Sequence, residues 1–290
     1  MESILEVEGL TKTYPDFQLH DVSFVVPYGT IMGLIGENGA GKSTTINAVL
    51  GLIHHGGCVR IFGHETESAD KNLREKLGVV FGENNLHGSL TATEISKIMS
   101  GIYRSWDAAQ FQNMLSQFDL PLKKQIHAFS RGMQVKLSIA VALSHHPELL
   151  ILDEPTSGLD PVIRDDVLDV FLDFVQDERH SILVSSHITS DLEKIADYIT
   201  FIHQGTILLS KEKDDLLTHY GILKCTQNQF EQIDPADYLY RRNQDYERDL
   251  LVADRESIGR KYPDCLIDSP TLDEIMVLVI KGEKNERVAS

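Results

Sequence analysis

The chain has 290 residues, 42% hydrophobic and 24% charged, a balance that supports a packed core and excludes extended disorder. A formal net charge of −17 sets it against nucleic acid and anionic membrane surfaces, whose binding needs clustered Lys and Arg. No run reaches the ~18 apolar residues that span a bilayer. Met1-Glu2-Ser3-Ile4-Leu5-Glu6 lacks the basic and apolar regions of a secretory leader.

Cys58, Cys225 and Cys265 are few, odd in number and widely spaced. They read as reduced thiols, with neither a disulfide framework nor metal-ligand spacing.

In chain order, residues 4–8 and 22–26 read as strands, with Val22, Phe24 and Val26 alternating in period two. Pro27-Tyr28-Gly29 is a turn. Thr30 to Ile35 is a short apolar run suited to a buried parallel strand. A glycine-rich loop leads into a helical pattern near Lys42. Residues 77–81 form another strand. From about 84 to 146 the apolar spacing becomes helical. Ile95, Ile98, Met99 and Ile102 make one face, and Phe111, Met114, Leu115 and Phe118 another. Strands follow at 149–152, 181–185 and 199–202, with a helix over 161–176. Strands alternating with helices predict an α/β fold around a mainly parallel sheet. Near Gly221 the composition turns polar. The expected organisation is a domain over 1–220, a helical insertion at about 84–146, and a small α+β accessory domain over 221–290.

Gly36-Glu37-Asn38-Gly39-Ala40-Gly41-Lys42-Ser43-Thr44 fits G-x-x-x-x-G-K-[ST]. Glycines let several backbone N–H groups aim at one anion, and the following helix adds its positive end. Lys42 can reach the β- and γ-phosphates, and the Ser43 hydroxyl can ligate Mg²⁺. The flanking strand and helix argue against a chance turn. Lys42 and Ser43 argue against a dinucleotide loop, which needs neither cation nor metal ligand.

The strand at 149–152 runs into Asp153-Glu154-Pro155, placing two carboxylates at the sheet's ligand-binding edge. Asp153 suits Mg²⁺ and Glu154 suits a general base for water. The bland alternative is a pair of solvated acids. His187 follows a neighbouring strand, where it serves either structure or the γ-phosphate.

Phe129-Ser130-Arg131-Gly132-Met133-Gln134 precedes the carboxylate strand and a helix expected over 136–144. It resembles the Leu-Ser-Gly-Gly-Gln signature of ATP-binding cassette (ABC) proteins. Ser130 and Gly132 match, while Phe129, Arg131 and Met133 depart in the manner of bacterial type-2 ABC exporter ATPases. Ser157-Gly158-Leu159-Asp160 resembles the D-loop, and the likeness runs across about residues 4–218. It implies a P-loop NTPase fold, ATP and Mg²⁺ as ligands, and ATP hydrolysis driving transport.

The resemblance further implies a head-to-tail dimer with a second ABC ATPase subunit. Ser130 and Gly132 would meet the partner's nucleotide, and Asp160 would lie at the interface. Tyr14 would stack on adenine, the alternative being a surface aromatic before Pro15. His187 would contact the γ-phosphate. Transmembrane permease subunits would hold the chain at the cytoplasmic face of the membrane, and nucleic acid is not an expected partner. Where the family carries Gln or an acid, this chain has Gly82, so Glu83 or a water would complete the metal shell. Exporters of amphipathic peptides, phenol-soluble modulins among them, use similar cassettes. The rival reading is a soluble cassette acting on ribosomes, nucleic acid or cluster assembly. A P-loop kinase or GTPase would leave the signature segment unexplained.

Overall fold

The computed structural model describes residues 2–66, 71–82, 86–243 and 247–285. The chain starts with β1 (Ser3–Tyr14), β2 (Phe17–Pro27) and β3 (Ile31–Ile35), then α1 (Lys42–Val49), β4 (Gly56–Ile61) and β5 (His64–Glu65). β1, β2, β4 and β5 form an antiparallel sheet in the order β2-β1-β4-β5. Its pattern explains the pairing. Leu19, Val22, Phe24 and Val26 of β2 are buried, while Val25 between them is 48% exposed. Alternation of this kind belongs to a sheet with one dry face. β1 and β2 are longer than the expected 4–8 and 22–26. Register shifts between Val7 and Leu10 and between Leu10 and Lys12 break the alternation there.

Next come α2 (Lys71–Glu75), β6 (Leu77–Phe81) and the helices α3 (Ala92–Ile102), α4 (Ala108–Gln117) and α5 (Arg131–Leu143). Phe111, Met114, Leu115 and Phe118 are all buried, as their spacing requires. The expected face of α3 is only half right. Ile95 is buried, but Ile98 and Ile102 are 44% and 60% exposed. The buried stripe runs through Ala92 and Ile95 towards Met99, leaving Ile98 and Ile102 on the adjacent stripe. The helix expected over 136–144 starts at Arg131, because Ser130 caps it by accepting the Met133 N–H.

The second sheet takes β7 (Leu149–Asp153), then α6 (Pro161–Phe174), β8 (Ser181–Ser186), α7 (Thr189–Ile195), β9 (Tyr198–His203), β10 (Thr206–Glu212) and α8 (Lys213–Thr218). Its order is β10-β9-β3-β8-β7-β6, parallel throughout except for the antiparallel edge strand β10. All of β3 and β8 is buried, as is β7 as far as Leu152. Parallel strands covered on both faces are unbroken apolar runs, so these were the strands most visible in sequence. The exits of β3, β7 and β8 lie side by side, which assembles the site.

From residue 221 the chain builds a third sheet. Its elements are β11 (Gly221–Cys225), α9 (Gln227–Phe230), β12 (Tyr240–Asn243), β13 (Arg248–Val252), α10 (Arg255–Lys261), β14 (Leu266–Asp268), α11 (Leu272–Lys281) and β15 (Glu283–Lys284). The antiparallel order is β14-β11-β13-β12-β15. α11 packs against α7, and the Leu272 N–H donates to Glu193 Oε1 at 2.6 Å. Leu272, Ile275, Leu278 and Val279 join the same apolar core as Leu192, Ile195 and Leu216. All three thiols are free, with Cys225 buried and its thiol pushed up to about 11 by burial. Among the described residues no helix is long and apolar enough to cross a membrane.

Ile275 is fully buried in that shared core. Ile275→Ala is expected to lower unfolding stability by about 2–5 kcal/mol, measured by chemical denaturation of the whole chain.

Candidate functional site

The loop between β3 and α1 is shaped by what its glycines lack. A Cβ at Gly36 would lie 2.4 Å from the Ile202 carbonyl oxygen, so only glycine lets the loop pass that close to β9. Gly41, at the start of α1, is left-handed with φ 112°. Lys42 follows, 5% exposed, its Nζ donating to the Gly36 carbonyl at 2.7 Å and the Glu37 carbonyl at 3.2 Å. Ala40 is buried beneath the loop. A cavity of about 540 Å³ opens above it. Its lining includes Tyr14, Phe17, Asn38, Gly39, Gly41, Lys42, Ser43, Thr44 and Glu154. The 12 residues of β1 thus bring Tyr14, at its end, to the same opening as the loop before α1, with the Lys12 ammonium 5.3 Å from the centre of its ring.

Glu154 lies just past β7 with φ 52°, a left-handed backbone uncommon for a side chain of this size and doubly so before Pro155. Such strain persists where surrounding contacts enforce it. Here the Glu154 N–H donates to Ser185 Oγ at 3.0 Å, and the Ser185 hydroxyl donates to Asp153 Oδ1 at 2.6 Å. The Glu154 carboxylate then spans two partners, an ammonium and an imidazole. Oε1 is 3.0 Å from Lys42 Nζ, an ion pair rather than an aligned hydrogen bond, and Oε2 is 2.6 Å from His187 Nδ1. With Lys42 at 5% exposure and Glu154 at 19%, this pair is shielded from bulk solvent.

A second cavity of about 420 Å³ adjoins the first, lined by Ser43, Phe81, Gly82, Arg131, Asp153, Glu154 and Ser157. A hydroxyl and a carboxylate converging on one space are hard oxygen donors, the set Mg²⁺ prefers while it keeps several waters. Ser43 and Asp153 therefore fit the expected metal position. Glu83 lies outside the described residues. Gly82 has a steric reason. A Cβ there would sit 3.0 Å from the Asp153 carbonyl oxygen and 3.2 Å from that of Glu154.

Ser130, Gly132 and Asp160 line neither cavity. Ser130 caps α5, and Asp160 caps α6 by accepting the Val162 and Ile163 N–H groups. Gly132 is buried against Ile163, whose Cδ1 lies 2.6 Å from where a Cβ would stand. Phe17, Ser185, Ser157 and Arg131 were not anticipated as site residues. Two of them carried a signal, Arg131 as a departure from the signature and Ser157 as the first residue of the D-loop-like segment. Its guanidinium rests on Gly158, with Nη1 2.7 Å from the place a Cβ would take.

The sequence model described as ABC transporter matches residues 19–157. A bacitracin transport ATP-binding protein of Bacillus licheniformis is 36% identical over 212 residues, 72% of this chain and 69% of that protein. The chain belongs to the ABC transporter family, as an ATPase subunit. A lantibiotic transport ATP-binding protein of Streptococcus pyogenes is 37% identical over 217 residues, 73% of this chain and 92% of that protein. A solved ATP-binding subunit of an ABC transporter superposes with a TM-score of 0.65 at 31% identity, covering 74% of this chain and 92% of its own. The P-loop ATPase fold expected of an ABC cassette is the fold observed.

The crowding at Gly82 has a direct consequence for the ATPase. Installing the family's more usual side chain, as Gly82→Gln, is expected to slow ATP turnover by about tenfold, because the Asp153 and Glu154 backbone must move to admit it. Steady-state phosphate release checks this.

Proposed function

We propose that this chain is the motor of a membrane exporter, in which ATP closes two cassettes head to tail and hydrolysis lets them part. The observation that carries the reading is the bridge at Glu154. A γ-phosphate arriving at Lys42 competes with Glu154 for the same ammonium. Drawing Lys42 away leaves the carboxylate to its His187 partner and free to accept a proton from water. His187 would hold that carboxylate in position and reach towards the phosphate. The loop N–H groups and Lys42 would bind the phosphates, and Tyr14, flanked by Phe17, would face the adenine, a contact worth ~1 kcal/mol. Ser43 and Asp153 would hold Mg²⁺, which when bound screens the phosphate charge.

Across the dimer, Ser130 and the exposed start of α5 would meet the partner's γ-phosphate, since a hydroxyl that accepts the Met133 N–H still has its own proton to donate. Gly132 would keep that surface low, and Asp160 would lie at the contact. The division into a cassette over 1–220, with its helical insertion at about 84–146, and an accessory unit over 221–290 fits the start of the third sheet at β11. Transmembrane permease subunits would anchor the chain at the cytoplasmic face. Relatives named for bacitracin and lantibiotic transport favour cargo of that kind, which accords with the likeness to exporters of amphipathic peptides.

Glu154→Gln is expected to slow ATP hydrolysis by about 10²-fold or more while an ATP-bound dimer accumulates. Turnover assays with size-exclusion chromatography test both halves, and near-normal turnover would remove Glu154 from the role of base. Chelating Mg²⁺ with EDTA is expected to stop hydrolysis, with recovery on adding the metal back. Hydrolysis that persists in EDTA would exclude Ser43 and Asp153 as metal ligands.

A further inference from the structure

The segments after β7 and β8 are tied together by more than the two contacts at the reacting carboxylates. Ser185 reaches Asp153, His187 reaches Glu154, and a third link lies beyond them. The Thr156 hydroxyl donates to Asp191 Oδ2 at 2.7 Å. Thr156 is 3% and Asp191 4% exposed. Neither lines the two cavities at the site. The other carboxylate oxygen, Oδ1, is 3.8 Å from Arg164 Nη1, and Arg164 Nη2 donates to the Leu159 carbonyl at 3.3 Å. A carboxyl group removed from water is costly unless it is paired and hydrogen-bonded. This one places one oxygen on Thr156 and the other on Arg164 of α6.

We propose that Asp191 is a positioning residue for ATP hydrolysis, which sets the His187–Glu154 contact by fixing α7 to the loop that follows Glu154. The covalent path makes the link tight. His187 stands shortly before α7, whose first turn carries Asp191, and Thr156 stands two residues beyond Glu154. The His187–Glu154 and Asp191–Thr156 contacts thus close a ring of backbone and side chain. Opening the ring at its far side lets α7 and the Glu154 turn shift relative to each other. The left-handed Glu154 backbone, φ 52°, is held at its N–H by Ser185 and at its carbonyl by the Ser157 N–H of the turn to which Thr156 belongs, so loosening that turn bears on it directly. Nucleotide binding, which rests on the loop at 36–44 and on Tyr14, is outside the ring. The inference rests on Glu154 and His187 acting as proposed above.

The test uses the full chain and follows Mg²⁺-dependent ATP turnover, with KM for ATP read separately from kcat. Asp191→Ala and Thr156→Val are each expected to lower kcat by about tenfold, with KM changed by less than about twofold. Thr156→Ser keeps the hydroxyl and is expected to restore the rate. The double variant Asp191→Ala/Thr156→Val is expected to be no slower than the slower single variant, because both break one contact. Should Asp191→Ala fail to fold, the Thr156→Val and Thr156→Ser pair decides the matter. The proposal is overturned by wild-type kcat in Thr156→Val, by a Thr156→Ser variant as slow as Thr156→Val, by KM rising in step with the loss of kcat, or by multiplying defects in the double variant. Absence of hydrolysis by the wild-type chain would instead strike the assignment of Glu154.

Discussion

The site depends on one carboxylate shared between a lysine and a histidine. Glu154 reaches Lys42 from one oxygen and His187 from the other, and each partner comes from a different segment of the chain. Lys42 stands at the exit of β3, Glu154 at the exit of β7 and His187 at the exit of β8. These three strands are consecutive neighbours in one parallel sheet. Parallel order is what sends all three exits to the same edge. The apolar runs that bury the strands therefore also fix where the charged groups meet.

That arrangement is held under tension. The Glu154 backbone is left-handed, and its N–H is tied to Ser185 while Ser185 is tied to Asp153. The residues that would bind phosphate and the residues that would activate water are thus separate mechanical units. The first is a loop folded around Lys42, which donates to the carbonyls of its own loop. The second is a laced pair of strand ends. Lys42 and Glu154 are the point where they touch, so in the proposed mechanism arrival of phosphate at one would be felt by the other.

The phosphate loop was legible because its backbone geometry admits few residues at Gly36 and Gly41. The parallel strands were legible because unbroken burial writes unbroken apolar runs, as in Leu149 to Leu152. β4 begins Gly56-Gly57-Cys58, weak strand formers recruited by pairing with β1, and β10 is an edge strand with a largely polar, exposed pattern. α7 starts after Ile188, whose side chain offers no cap, so its start gave no signal. The exposed Ile98 and Ile102 misled because the eye follows every apolar residue at helical spacing, whereas α3 buries a narrower stripe. Contacts such as Thr156 with Asp191 join residues far apart in sequence and are visible only once the sheet is assembled.

The apolar face of α11 has a consequence for how the chain can be divided. Leu272, Ile275 and Leu278 complete a core that also contains Ile195 and Leu216. A shortened chain ending at Tyr220 would keep every nucleotide-facing residue named above, yet it would leave Ile195 and Leu216 without the helix that covers them. Newly bared apolar surface of this kind favours self-association. Helix α11 therefore acts as a fitted cover for the core beneath α7 and α8, and a piece that kept the whole candidate site but lacked this helix would be expected to stay dispersed in water less well than the full chain.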